Sequence, residues 1–252
     1  MREIPLTSLR FISETASGVL VEYGVDINTG EKDENTINKI ISTLGILPNP
    51  ADKVKVLVYV EGSHDVNGLK GYSSILNLND SRILDLSSDQ IAWVITGGSS
   101  LKHYLENRYL EGLGKPEVHI YDSDVRDYVH VVNKINGEGN PIKKAFNTSK
   151  LELENYLHHE AINEAYAEQG NPTTLVSIQD DDDVPLIVAE NLYVTSGNDW
   201  SILNTEKQKE KASGKKGFLN TKAIEKMSVD RIKDRAGYDE LKLWIDTISS
   251  FL

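Results

Sequence analysis

The chain has 252 residues, enough for one elaborated α/β domain or for a core domain with a smaller appendage. Hydrophobic residues make up 39% and charged residues 26%, as in a globular protein that buries a core, and the absence of cysteine excludes disulfides, thiolate nucleophiles and cysteine zinc sites. The net charge of −12 argues against an ordinary nucleic-acid binder, whose basic field neutralises phosphates. Metal ions screening a carboxylate-rich site, or a more basic partner, would reconcile the two.

In chain order, residues 19–25 (VLVEYGV) read as a strand, followed by an Asn28-Thr29-Gly30 turn. A short helix is expected next, because Ile37, Ile40, Ile41 and Leu44 fall at i, i+3, i+4 and i+7. Residues 48–52 (PNPAD) mark a turn or linker. The middle of the chain then alternates. An apolar run from Val54 to Val60 precedes a helix over 65–78. A second run, Ile91 to Thr96, precedes a helix from Ser100 to Leu110. A third, Val118 to Tyr121, precedes a helix with Val125, Tyr128, Val129 and Val132 on one face. Continuous apolar strands separated by helices point to parallel strands covered on both faces.

Beyond Gly137 the alternation of Leu151 and Leu153 with Lys150, Glu152 and Glu154 suggests a fourth strand over 145–154, with a helix following through Ala165. Residues 195–221 read as a mobile loop. Within it, Lys207 to Lys222 is the one basic concentration of the chain, and such a run is most often solvated. Leu241, Trp244, Ile245, Ile248 and Leu252 form the apolar face of a C-terminal helix, with Asp239 as its N-cap. Three domains are expected: an N-terminal arm over 1–50, a catalytic core over 51–157 and a mainly helical extension over 158–252. The start lacks the apolar stretch of a signal peptide, and the strand-like runs are far shorter than the about 20 residues needed to cross a bilayer, so a cytoplasmic location without membrane contact is expected.

In parallel α/β sheets, ligands bind outside the carboxyl ends of the strands. Here the first core strand ends in Glu61-Gly62-Ser63-His64-Asp65, the second in Thr96-Gly97-Gly98 and the third in Asp122-Ser123-Asp124. Each strand therefore delivers carboxylates or a glycine turn to one edge. Several convergent carboxylates suit Mg²⁺ or Mn²⁺, which take oxygen ligands. Taken singly, an Asp-X-Asp is often an Asx-capped turn, and Gly97-Gly98 a tight strand-to-helix turn.

The ordered set VYVEGSHD, VITGGSS and HIYDSDV, over residues 54–134, resembles the Toprim (topoisomerase–primase) family. The segments LELENYLHHEAI and KKGFLNTKAIEKMS resemble stretches of the Toprim nucleases attached to ABC-type ATPases, the overcoming-lysogenization-defect (OLD) family. The resemblance implies a Rossmann-like parallel sheet flanked by helices with a helical C-terminal extension. It also implies cleavage of DNA phosphodiesters with two Mg²⁺ or Mn²⁺ ions, in an ATPase-coupled anti-phage defence system. Carried over by residue, Glu61, Asp65, Asp122, Asp124 and Glu154 are metal ligands, with Glu152 as the alternate to Glu154. Glu61 and Asp122 are catalytic. Gly97, Gly98 and Lys215 face the phosphate backbone, and Lys216, or its neighbour Lys215, stabilises charge on the phosphate. DNA, an ATPase module and a further copy of the chain are the implied partners. No Walker A motif occurs in residues 1–252, so the family's usual ATPase is expected to be absent, cut away or on another chain, with residues 1–50 as the end of such an ATPase or a docking arm.

Two other readings compete. VHIYDSDV also resembles the first motif of haloacid-dehalogenase-type phosphatases, with Asp180 to Asp183 as a late acidic motif, but this leaves Glu61, Asp65 and Gly97-Gly98 without a role, and the acidic run itself is expected as a solvated turn. A non-catalytic Toprim-like subunit that regulates an ATPase is the second. His158-His159-Glu160 lacks the spacing of a zinc helix and is expected at the surface or an interface, while Trp93, Trp200 and Trp244 are expected in the core or an interface.

Overall fold

A computed structural model describes residues 10–15, 18–23, 25, 29, 33, 36, 53–97 and 114–252. The chain forms two compact units, Met1–Lys53 and Val54–Leu252. In the first, β1 (Arg10–Thr15) and β2 (Gly18–Tyr23) pair antiparallel, with Arg10 opposite Tyr23 and Thr15 opposite Gly18. Gly18 has φ +136°, a conformation open to glycine, at the hairpin corner. The strand expected over 19–25 is present as β2, but its partner, RFISET, lacks an apolar run and has no sequence signal of its own. The helix expected around Ile37 to Leu44 lies outside the described residues.

The second unit is built on four parallel strands: β3 (Val56–Val60), β4 (Ile91–Ile95), β5 (Glu117–Tyr121) and β6 (Lys143–Asn147), in the order β4-β3-β5-β6. The two faces of the sheet are covered separately. Val56, Val58, Val60, Val118 and Ile120 pack with Leu69, Tyr72 and Leu76 of α1 (Ser63–Asn79). Leu57, Tyr59 and Tyr121 pack on the opposite face with Tyr128, Val132 and Ile135 of α2 (Arg126–Gly137). Every residue of β3 and β5 is buried, so β3 (VLVYV) reads as unbroken rather than alternating, while β5 (EVHIY) buries the polar Glu117 and His119 as well. Fully burying one such aliphatic side chain contributes about 1.5–3 kcal/mol. The α/β parallel sheet with helices on both faces is the expected fold class. The helix expected over 100–110 lies outside the described residues, and Val125 and Val129, expected on the inner face of α2, are exposed by 36% and 37%.

The rest of this unit is helical: α3 (His159–Glu168), α4 (Val184–Thr195), α5 (Thr205–Phe218), α6 (Val229–Asp234) and α7 (Tyr238–Ser249). Leu241, Trp244, Ile245 and Ile248 of α7 are buried in the α1-side core as expected, whereas Leu252 is 41% exposed. Gly237, not Asp239, occupies the N-cap of α7, and Asp239 lies in its first turn. Three further expectations are corrected. The fourth strand ends at Asn147, because Thr148 Oγ1 and Ser123 Oγ both donate to Lys150 O, at 2.7 and 2.6 Å, and pull the chain out of the sheet. Residues 205–218, expected as loop, are the helix α5, capped by Asn204 accepting from Lys207 N at 2.9 Å. The acidic run is more than a solvated turn: Asp180 pairs with buried Lys150 at 2.5 Å, and Asp183 caps α4. Trp244 lies in the main core and Trp93 packs against it, while Trp200 anchors a satellite cluster with Ala189 and Ala212. Among the described residues, no helix is long and apolar enough to cross a membrane.

Candidate metal centre

The strand order changes direction at β3: the chain moves from β3 to β4 on one side, then to β5 on the other. A crevice opens at the carboxyl ends of two strands where such a reversal occurs. Glu61 follows β3 and Asp122 follows β5, so the two acids flank that crevice. Glu61, Asp122 and Asp124 each bring a carboxylate oxygen within 4.8 Å of the others. Asp122 is 6% exposed and Asp124 is open to solvent.

The neighbouring strand end is fitted closely. Thr96 donates both N–H and Oγ1 to Val60 O, each at 2.9 Å. A Cβ on the next residue, Gly97, would lie 2.6 Å from the Glu61 carbonyl oxygen. Gly97 is thus glycine because the backbone carrying Glu61 lies against it. Gly98 lies outside the described residues.

Asp65 lies in the first turn of α1 and accepts from Gly62 N at 2.7 Å. The segment after β6 is stitched to the turn after β5. Thr148 N donates to Tyr121 O, Ser123 N to Leu151 O, and Leu153 N to Asp122 Oδ1 at 3.0 Å. This stitching carries Glu152 and Glu154 to the same site, Glu152 as the N-cap of a short turn, Leu153–Tyr156, and Glu154 within it, rather than on a strand. The last turn of α5 supplies Lys216, whose Nζ lies 3.1 Å from Glu152 Oε1 and 4.0 Å from Glu154 Oε1.

The electrostatics follow from that crowding. Burial raises the carboxyl of Asp65 to about 6, with the Gly62 N–H opposing and the charge of Glu61 adding. Burial also pushes Asp122 well above the carboxylate range, and Asp65, Glu154 and Glu152 reinforce it. Glu61 is raised by burial, against the stabilising hydrogen bond from the Tyr128 hydroxyl. Glu152 rises to about 7 through burial and then the charge of Glu154. Glu154, 1% exposed, is raised by burial although Lys216 and Asn220 favour its charged form. Burial works against the Lys216 ammonium, but Glu154, Glu152 and Asp122 outweigh it and raise its pKa.

Among the described residues, six carboxyl groups thus share one ammonium. Two like charges about 4 Å apart repel by about 4 kcal/mol at an effective dielectric near 20. Glu152 Oε2 and Glu154 Oε2 are buried without a hydrogen-bond partner among the described residues. An all-oxygen, carboxylate-rich donor set with buried free oxygens fits one or two hard divalent cations.

The structure brings Glu61, Asp65, Asp122, Asp124, Glu152, Glu154 and Lys216 to one place. Lys215 is elsewhere: it lines a hollow of about 310 Å³ with Tyr166, Tyr193 and Lys211. His158 is not a surface residue. It is 8% exposed, caps α3 by accepting from Glu160 N at 3.2 Å, and sits 3.1 Å from Asp234. Two residues that sequence reasoning leaves out take part. Tyr128 stands four positions after Asp124 and reaches Glu61; Asn220 stands four after Lys216 and reaches Glu154.

No protein-family model matches the chain, and no curated protein matches it. Among solved structures, it is similar to the C-terminal region of the OLD protein of Xanthomonas campestris pv. campestris, at 13% identity and a TM-score of 0.40, with 77% of this chain and 97% of that chain covered. It is similar also to the C-terminal region of the OLD protein of Burkholderia pseudomallei, at 14% identity and a TM-score of 0.41, covering 76% and 98%.

Proposed function

We propose that this chain is a metal-dependent phosphodiester hydrolase, an endonuclease acting on DNA with two Mg²⁺ or Mn²⁺ ions. The observation that carries the reading is the convergence of Glu61, Asp122 and Asp124, from the ends of two adjacent strands, on a crevice that Asp65, Glu152, Glu154 and Lys216 complete. The sequence resemblance to Toprim nucleases rests on the same motifs.

Glu61, Asp122 and Asp124 would hold one ion, and Asp65 with Glu154 or Glu152 a second. Metal bound there supplies a polarised water and offsets charge on the entering and leaving oxygens of the displacement. Tyr128 orients Glu61 through its hydroxyl, and Glu61 is placed to take the proton of the attacking water. Lys216, held by Glu152 and Glu154, stands ready to face negative charge developing on the phosphate. Gly97 keeps that edge narrow for the backbone. In this reading the core over 51–157 carries the chemistry, the arm over 1–50 docks an ABC-type ATPase module, and the 158–252 extension supplies Lys216. The setting would be a cytoplasmic anti-phage defence system, in which the chain can self-associate.

The test is cleavage of plasmid DNA, linear DNA and RNA in Mg²⁺, Mn²⁺ or EDTA. Wild type should cut DNA only with metal. Glu61→Gln and Asp122→Asn should each lose about 10²–10³ in rate, the scale of removing one electrostatic contact from a transition state. Calorimetric metal binding with no cleavage of any substrate would instead support a non-catalytic Toprim-like subunit.

A further inference from the structure

We propose that Asn220 is a positioning residue that holds Lys216 and Glu154 in one fixed arrangement, and that the wide turn after α5 serves to aim it. The proposal rests on the metal-centre reading above. Immediately after α5, residues Leu219–Ala223 wind as a π-turn, one residue wider per turn than the helix before it. Such turns are rare and recur at functional sites.

Asn220 is 1% exposed. Its Nδ2 donates to Glu154 Oε1 at 2.8 Å and to Lys216 O at 3.1 Å. The Lys216 carbonyl can only accept, so it fixes which end of the amide is nitrogen. One amide therefore ties the carboxylate to the backbone of the residue whose ammonium pairs with it. Glu154 Oε1 is occupied by this contact, while Oε2 has no partner among the described residues and is the oxygen available to a cation.

A purely structural role would be met more simply. Asn220 Oδ1 is buried without a partner among the described residues, and a buried unsatisfied polar atom costs about 1–3 kcal/mol. An apolar residue of similar volume would avoid that cost. The chain behind is cleared for the amide: a Cβ on Gly68 would lie 2.7 Å from Asn220 Oδ1.

The test compares wild type with Asn220→Ala and with Asn220→Leu, which keeps the branched outline of four side-chain heavy atoms and removes the donor. Mn²⁺ binding, followed by electron paramagnetic resonance, should weaken about 10–100-fold at one site, the usual effect of losing a partner that orients a ligand. In a Glu154→Gln background the same substitution should add little further loss, because both act through one contact. Without metal, the rate of Lys216 acylation by acetic anhydride, read by mass spectrometry, should rise several-fold once its anchor is gone. Unchanged Mn²⁺ affinity and unchanged Lys216 reactivity in a folded Asn220→Leu variant overturn the proposal. Wild type that binds no Mn²⁺, with Lys216 still more reactive in the variant, removes the metal-centre reading and leaves the positioning intact.

Discussion

Asp122 accepts a hydrogen bond that a neutral amide would retain, and carries a charge that Asp65, Glu152 and Glu154 oppose. In EDTA at pH 8, Asp122→Asn should therefore melt above wild type, and added Mg²⁺ should raise its melting temperature less than it raises that of wild type. Calorimetry showing a lower melting temperature for the variant in EDTA would refute the crowding argument. Gly97→Ala should cost about 1–3 kcal/mol in urea titration, the range for overpacking, because its methyl group would meet backbone rather than a mobile side chain. At this scale, the acids directly after apolar runs were legible, since strand ends announce themselves in sequence. Asn220 and Glu154 lie 66 positions apart, and nothing local marks either as the partner of the other. The choice between Lys215 and Lys216 was likewise open until α5 took a definite helical phase.

The elements most legible in sequence were those whose burial is strongest. β3 is buried at every position and an unbroken apolar run predicts it, whereas β5 is marked by Val118, Ile120 and Tyr121 around a buried His119. α5 carries no apolar periodicity that would mark it as a helix, because Ala212 is its one buried residue. Its cap and its Lys, Glu and Gln content carry it instead. The helical form also arranges its lysines: Lys207, Lys211 and Lys215 recur every fourth residue and share one side. Lys211 lies over the ring of Tyr193, 4.8 Å from its centroid. If the chain binds DNA as proposed, Lys207→Ala/Lys211→Ala should weaken binding and flatten its salt dependence by about one unit of slope per lysine. Fluorescence anisotropy in Ca²⁺ measures both quantities, and an unchanged slope would make the row a plain solvated face.

On the scale of the whole molecule, a chain of net charge −12 concentrates buried acid at one point, and its stability should therefore depend on protons and metal together. The folded protein holds Asp65 near 6 and Glu152 near 7, above their ordinary values of 3.8 and 4.5. It binds protons that the unfolded chain releases, so the associated stability is present below about pH 4 and is lost as pH rises through 7. Holding a proton tenfold more tightly in the folded state than in the unfolded one contributes about 1.4 kcal/mol. Asp180, lowered by its hydrogen bond from Lys150, acts in the opposite direction but at lower pH, where its stabilisation disappears below the ordinary aspartate range. A divalent ion replaces the missing protons above pH 7, and at 100 times its dissociation constant it adds about 2.7 kcal/mol. For a protein of this size that is about 5–11 °C in melting temperature. All three tryptophans, Trp93, Trp200 and Trp244, lie in the Val54–Leu252 unit, so their fluorescence follows the unit that carries the centre. The metal-free midpoint should fall between pH 5 and pH 8, and the rise on adding Mg²⁺ should be large at pH 8 and small at pH 5, where protons compete for the same oxygens. An equal rise at both pH values would show that the carboxyl groups at the sheet edge are not where the ion binds.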